Sequence, residues 1–244
     1  MNHDLILQAR GVTRRFGGLV ANDAIDADIR RGEILGLIGP NGAGKSTFFN
    51  LLAGALPPSA GSIRFEGRDI GALPATRRCA LGIARTYQVP RSFESMTVVE
   101  NVMIGAFVRH PRPAAARRAA LETLEFTGLS RQADTPTRQL TPPEKRRLEV
   151  ARALATRPAL LLLDEVLTGL TPGEARLGVE LIRRVRDAGV TVVMVEHVME
   201  VLMPLVDRAL VLHLGRVLAE GAPREVVRDP GVIAAYLGDR HRAA

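Results

Sequence analysis

Apolar and polar positions change rhythm repeatedly along the chain. From Leu5 to Arg31, short alternating runs such as Ile25-Asp26-Ala27-Asp28-Ile29 have the period of half-buried strands. Ile34-Leu35-Gly36-Leu37-Ile38 is continuously apolar, the pattern of a strand covered on both faces. A glycine-rich stretch follows, and then Ser46 to Ala53 reads as a helix. Ser62 to Phe65 reads as a further strand, with a turn at Glu66-Gly67. From about Thr76 to Arg157 the spacing becomes helical. Leu121, Leu124 and Glu125 share one periodic stretch, and Arg109 to Ala120, rich in Pro, Ala and Arg, reads as an exposed loop or helix start. Leu148, Ala151, Leu154 and Ala155 line one face of a later helix, with Arg147, Glu149 and Arg152 expected opposite them. Pro158 ends that helix. Leu160–Leu163 and Thr191–Val195 are two more buried strands, separated by a helix around Ala175 to Asp187. Ala209–Leu214 and Val217–Ala219 flank Gly215 as a hairpin, before a short helix near Pro223 to Arg228.

This order predicts an α/β core carrying a helical lobe. A chain of 244 residues fits one large domain or a core with one inserted lobe. Its single cysteine, Cys79, excludes an intrachain disulfide and fits a reducing compartment. No apolar run nears the roughly 18 residues that cross a bilayer; Ala159 to Leu163 stops at Asp164. The start, Met1-Asn2-His3-Asp4, lacks the basic head and apolar run of a secretory signal. Work at a membrane would therefore require docking on another protein. The formal charge of +7 raises the question of nucleic acid. Lys45 and Lys145 are the only lysines. The arginines are spread along the chain without an aromatic-rich basic tract, the pattern of a solvated surface and not of a nucleic-acid track.

The chemistry concentrates in two places. Gly39-Pro40-Asn41-Gly42-Ala43-Gly44-Lys45-Ser46 has the spacing G-x-x-x-x-G-K-S between a buried strand and a helix. Glycines let the backbone wrap an anion so that N–H groups point inward, and the helix adds its positive end. Lys45 would reach the β- and γ-phosphates of ATP, and the Ser46 hydroxyl would ligate Mg²⁺, with Thr47 next along the helix. Leu160-Leu161-Leu162-Leu163-Asp164-Glu165 supplies the second half. Asp164 at a strand end suits Mg²⁺ through water, and Glu165 suits a general base that polarises the attacking water.

These residues resemble the ABC ATPases over nearly the whole chain, and among them the ATPase subunits of branched-chain amino-acid importers. The likeness is carried by Phe16-Gly17-Gly18-Leu19-Val20-Ala21, Ala84-Arg85-Thr86-Tyr87-Gln88, Ala151-Arg152-Ala153-Leu154-Ala155 through Asp164-Glu165, Val195-Glu196-His197 and Ala235-Tyr236-Leu237-Gly238. The resemblance implies a P-loop NTPase cassette with a RecA-like core, an N-terminal antiparallel β subdomain and an inserted α-helical subdomain. The core would be residues 1–75 and 158–244, the lobe 76–157. It further implies that Phe16 stacks on adenine. Gln88 would sense Mg²⁺ and the lytic water and pass that state to a permease, and His197 would contact the γ-phosphate.

The family's signature after the lobe is usually Leu-Ser-Gly-Gly-Gln, and here it reads Leu140-Thr141-Pro142-Pro143-Glu144. In the family this loop closes over ATP held by the other subunit. Thr141 keeps a hydroxyl for the phosphate, Pro142 and Pro143 have no N–H to give, and Glu144 is expected to bring negative charge towards a polyanion. Val166 and Thr171 are milder departures. The expectation is a peripheral ATPase on the cytoplasmic face of the membrane, using ATP and Mg²⁺. Its partners would be transmembrane permease subunits, a second ABC ATPase subunit and, indirectly, a substrate-binding protein. A heterodimer is favoured, because an intact partner signature could serve this chain's phosphate loop. The alternatives are an ATP-binding regulatory subunit with little turnover and a non-transport ABC ATPase. One cassette, no sustained heptads and one cysteine speak against the last.

Overall fold

The computed structural model describes residues 4–88 and 91–241; Met1-Asn2-His3 lie outside them. The chain divides into two compact units, Met1–Arg78 with Thr191–Ala244, and Cys79–Val190.

In the first unit the alternating N-terminal segment folds into two long strands, β1 (Leu5–Phe16) and β2 (Leu19–Arg30), paired antiparallel. Ile6, Leu7, Ala9 and Val12 of β1 and Ile25, Ala27 and Ile29 of β2 are buried, while Asp26 is exposed and Asp28 is half-buried and paired with Arg10. β4 (Ala60–Phe65) and β5 (Arg68–Asp69) complete a sheet of order β2-β1-β4-β5. Beside it lies β3 (Ile34–Ile38), buried throughout as its unbroken apolar run requires. It pairs in parallel with β8 (Thr191–Val195) and β9 (Arg208–His213). β10 (Arg216–Gly221) returns antiparallel to β9 as the expected hairpin. Helix α1 (Lys45–Ala53) follows β3, with Phe48, Phe49, Leu51 and Leu52 in the core. α2 (Ala75–Leu81) carries Arg78, fully buried, whose guanidinium donates to the carbonyls of Leu51, Leu52, Gly71 and Leu73 and so ties down the end of α1. Desolvation lowers its pKa to about 10. Arg208 forms another buried cationic centre, paired with Glu33 and Glu220.

The second unit opens with a strand where the helical pattern was expected. β6 (Ile83–Arg85) pairs in parallel with β7 (Leu160–Asp164). Three residues are too few to show a period, and the strand forms because a buried neighbour completes its hydrogen bonds. Helices α3 (Val98–Ala106), α4 (Pro113–Thr127) and α5 (Pro142–Leu154) enclose an apolar core that includes Val98, Val102, Ala116, Ala120, Leu124, Leu148 and Ala151. The Pro/Ala/Arg-rich stretch is the entry to α4, with Pro113 at its first turn, where a missing N–H costs nothing. Glu149 corrects the expected polar face of α5. It is 4% exposed, accepts the Arg91 N–H and pairs with Arg152, so its charge is compensated within the unit. α6 (Pro172–Asp187) ends this unit.

Three further helices belong to the first unit: α7 (Met199–Leu202), α8 (Pro223–Val226) and α9 (Pro230–His241). The periodicity marked only the region of α8.

Candidate functional site

The phosphate loop joins β3 to α1 within the first unit. Two of its glycines are there by necessity. Gly39 has φ 147° and a Cβ on it would lie 2.1 Å from the Leu212 carbonyl oxygen; Gly44 has φ 98° and a Cβ there would lie 2.5 Å from the Ala21 oxygen. Asn41, Gly42 and Ser46 are exposed, Ala43 is buried and Thr47 half-buried, so the loop presents its rim outward from a fixed base. Lys45 is 6% exposed, and its ammonium donates to the Gly39 and Pro40 carbonyls at 2.6 and 2.9 Å. The ammonium is thus held over its own loop, within reach of an anion seated there. No acidic side chain occupies the first turn of α1, which leaves the helix's positive end to a phosphate.

Asn22 of β2 was not singled out from the sequence. It is fully buried, its amide donates to the Gly44 carbonyl at 3.1 Å, and its Oδ1 has no partner among the described residues. The Gly215 N–H donates to the Ala43 carbonyl at 3.1 Å. The loop is therefore braced by β2 and by the β9–β10 turn. The signal for Asn22 was faint, a single polar residue in an alternating strand. His197 follows β8 in the same unit and is exposed. Phe16 ends β1 at 42% exposure with the Arg14 guanidinium 4.6 Å from its ring centroid.

The second unit assembles the acidic half. β7 ends at Asp164, whose N–H donates to the Thr86 hydroxyl at 3.1 Å, while Arg85 lies 3.6 Å from its carboxylate. Glu165 has φ 50°, a left-handed conformation that a non-glycine residue holds only under constraint from its surroundings. Gln88 donates its side-chain N–H to the Glu165 carboxylate at 2.9 Å. The structure thus joins Gln88 to the residue read as the general base. Among the described residues, no group of three or more His, Cys, Asp or Glu is arranged to hold a metal. The oxygen donors within this unit are the Asp164 carboxylate and the Gln88 amide oxygen. They fit a hard cation that keeps water and phosphate among its ligands, as Mg²⁺ does.

The altered signature is the start of α5. Thr141 is the N-cap and Pro142 and Pro143 fill the first two helical positions. The Glu144 carboxylate turns back to accept the Thr141 N–H at 2.9 Å and its hydroxyl at 2.8 Å, and takes a third bond from Gln132 at 3.0 Å. The Thr141 backbone N–H, ahead of the side-chain donors, holds the Glu144 carboxyl below the usual carboxylate range against the opposing effect of burial. This arrangement engages the Glu144 carboxylate in its own helix cap and keeps its negative charge at the start of α5. It also shows the Thr141 hydroxyl as a donor to Glu144. The T-x-x-E spacing could have revealed both.

Comparison with known proteins bears on the whole chain. The family model described as ABC transporter matches residues 22–168, and the one described as branched-chain amino acid ATP-binding cassette transporter matches residues 216–242. The high-affinity branched-chain amino acid transport ATP-binding protein LivG of Salmonella typhimurium is 38% identical over 250 residues, covering 96% of this chain and 98% of its own. The corresponding protein BraF of Pseudomonas aeruginosa is 37% identical over 251 residues, with the same coverage. Among solved structures, a nucleotide-free ATP-binding cassette from an ABC transporter superposes with a TM-score of 0.87 at 29% identity, covering 95% of this chain and 98% of that one. An ADP conformation of such a cassette gives the same score at 96% and 99% coverage. A family match over more than half the chain, with relatives more than a third identical from end to end, makes this chain a member of the ABC transporter family of ATP-binding subunits.

Proposed function

We propose that this chain is a motor subunit of an importer for branched-chain or other apolar amino acids, bound to the cytoplasmic face of permease subunits and paired with a second, different ABC ATPase subunit. One observation carries the reading: the 2.9 Å hydrogen bond from Gln88 to Glu165. It ties the base that would activate water to a segment whose neighbours Tyr87 and Phe93 are exposed aromatics, suited to rest on another protein. The match of residues 216–242 to the branched-chain family model supports the substrate class, as does the likeness to LivG and BraF.

Phosphoryl transfer to water needs positioning and charge neutralisation more than covalent chemistry. The phosphate loop would hold the β- and γ-phosphates on backbone N–H groups and on the positive end of α1. Lys45 would exchange its two loop carbonyls for phosphate oxygens. Phe16 would stack on adenine, and Thr47 would add its hydroxyl. Glu165 would orient water for in-line attack, and His197 would contact the γ-phosphate. Asp164, Ser46 and Gln88 would hold Mg²⁺, which neutralises charge on the phosphates. Gln88 would lose or keep its bond to Glu165 according to whether water and nucleotide are in place, and so report that state to the permease.

The test is transport and ATP turnover by the reconstituted importer carrying Glu165→Gln in this subunit. Loss of a general base lowers turnover by about 10²- to 10⁴-fold, and uptake should fall with it. Uptake that persists at the parent rate would sink the motor reading. The result would then favour the regulatory reading that the Pro142-Pro143 signature also motivates, in which this subunit binds ATP and scarcely turns it over.

A further inference from the structure

Arg85 has no role in the site as described, yet it sits against the site's acid. It is the last residue of β6, where it pairs with Leu162 of β7. The ladder continues past it, because the Thr86 N–H donates to the Leu162 carbonyl at 2.9 Å and the Thr86 hydroxyl accepts the Asp164 N–H. Register alone thus delivers the guanidinium to Asp164, at 3.6 Å, with side chains only 16% and 14% exposed. A second set of contacts leads away from that pair. The Arg85 guanidinium lies 4.8 Å from the Tyr87 ring centroid, and the Arg91 guanidinium lies 4.8 Å from the same centroid. Arg91 is fixed in turn through its backbone: its N–H donates to Glu149 and its carbonyl accepts from Arg152, at 2.6 Å each. Tyr87, the residue before Gln88, is itself 39% exposed.

We propose that Arg85 is a positioning residue, the resident counter-cation of Asp164, which the carboxylate gives up when it takes the cation carried by ATP; Tyr87, stacked on Arg85, registers that exchange at the protein surface. This rests on the reading of Asp164 as the Mg²⁺ acid. The physical case is one of competition. A half-buried carboxylate needs a positive partner in either state. Two cations close to one carboxylate repel each other strongly where solvent screening is weak. Arg85 therefore keeps Asp164 compensated and ordered before nucleotide arrives, at the expense of affinity for Mg²⁺. When released, the guanidinium changes its contact with the Tyr87 ring, whose other cationic neighbour, Arg91, is anchored to α5 through its backbone.

The chain has two tyrosines and no tryptophan, so in a Tyr236→Phe background Tyr87 is the sole source of near-ultraviolet protein emission. The experiment is a Mg²⁺ titration of that protein at a fixed concentration of a non-hydrolysable ATP analogue, read by Tyr87 fluorescence. The expected result is a saturable change, whose half-saturating Mg²⁺ falls roughly fivefold or more in Arg85→Gln and stays within about twofold of the parent in Arg85→Lys. Asp164→Asn, which breaks the pair from the other side, should show without Mg²⁺ the emission that the parent reaches with it. Half-saturation that is unchanged or higher in Arg85→Gln would mean that Arg85 orders the acid for Mg²⁺ instead of competing for it, and would overturn the proposal. Should Arg85→Gln fail to fold, an Asp164→Asn emission equal to that of the Mg²⁺-free parent overturns it instead. A parent that binds the analogue without any response to Mg²⁺ removes this proposal alone. One that binds no nucleotide at all removes the motor reading with it.

Discussion

Lys45 and Gly44 sit side by side and answer to different constraints. The lysine's value is chemical: its ammonium leans on two carbonyls of its own loop and can be given over to phosphate. Lys45→Ala should therefore leave the fold in place and weaken ATP binding by at least tenfold, the loss of a charge-assisted contact worth about 1.5–3 kcal/mol, measurable by calorimetric titration. The glycine's value is geometric. Gly44→Ala puts a Cβ 2.5 Å from the Ala21 oxygen and 2.6 Å from the Asn22 amide nitrogen at φ 98°, so β2 or the loop must shift. Both the melting temperature and nucleotide affinity should fall in that variant. A Gly44→Ala protein that melts with the parent would show that the loop is not braced against β2 as the Asn22 contact indicates. The motif spacing made both residues legible. The brace was not, because whether a buried asparagine meets a loop depends on a strand that comes earlier in sequence and pairs elsewhere.

At the scale of elements, three helices start in one way. α3 opens on Thr97 with Glu100, α5 on Thr141 with Glu144, and α6 on Thr171 with Glu174; in each the glutamate accepts the N–H and the hydroxyl of its threonine. The start of α6, Thr171-Pro172-Gly173-Glu174, shares with the altered signature a proline at the first position and a glutamate at the third. The departure Leu140-Thr141-Pro142-Pro143-Glu144 is thus a sound helix beginning in its own right. Reading it only against the family pattern hid this. The continuous apolar strands and the strongly periodic helices were legible because their burial is written in their own residues. β6 and α9 were not, since a three-residue strand depends on its neighbour and α9 lacks a sustained apolar face. The three caps make a pH prediction. In each glutamate the backbone N–H of its own threonine is the main cause that lowers the pKa. A depressed folded pKa gives stability that is present above the unfolded carboxylate range, about pH 4.3, and lost as pH falls through the folded values. Thermal melts from pH 7 to pH 3 should therefore drop on acidification. A Glu100→Gln/Glu144→Gln/Glu174→Gln variant should melt lower at pH 7 and show a shallower acid decline. An identical slope in the two proteins would rule out the caps as contributors.

For the molecule as a whole, the signature is expected to set stability and turnover against each other. A helix N-terminus binds an anion through its first free N–H groups, and α5 has prolines at the first two of those positions. The Lys145 N–H already bonds to the Thr141 carbonyl, and the Thr141 hydroxyl is a donor to Glu144. In a homodimer both composite sites would meet this depleted helix end, whereas a partner with glycines there would offer the missing donors to this chain's phosphate loop. Pro142→Gly/Pro143→Gly restores two N–H groups while removing two residues that pre-set the helical φ. Each proline lost at a compatible site should cost about 0.4–1 kcal/mol of stability. Each N–H regained could return about 1.5–3 kcal/mol to the closed state. The purified double variant should thus melt lower than the parent and hydrolyse ATP at least tenfold faster, with the gain abolished by Glu165→Gln. Opposite movement of the two quantities separates a functional effect of the prolines from general loosening, which would lower both. If the parent alone already shows Glu165-dependent turnover that the double variant does not raise, the prolines are compatible with closure over ATP. The case for a different partner subunit then rests on nothing in this loop.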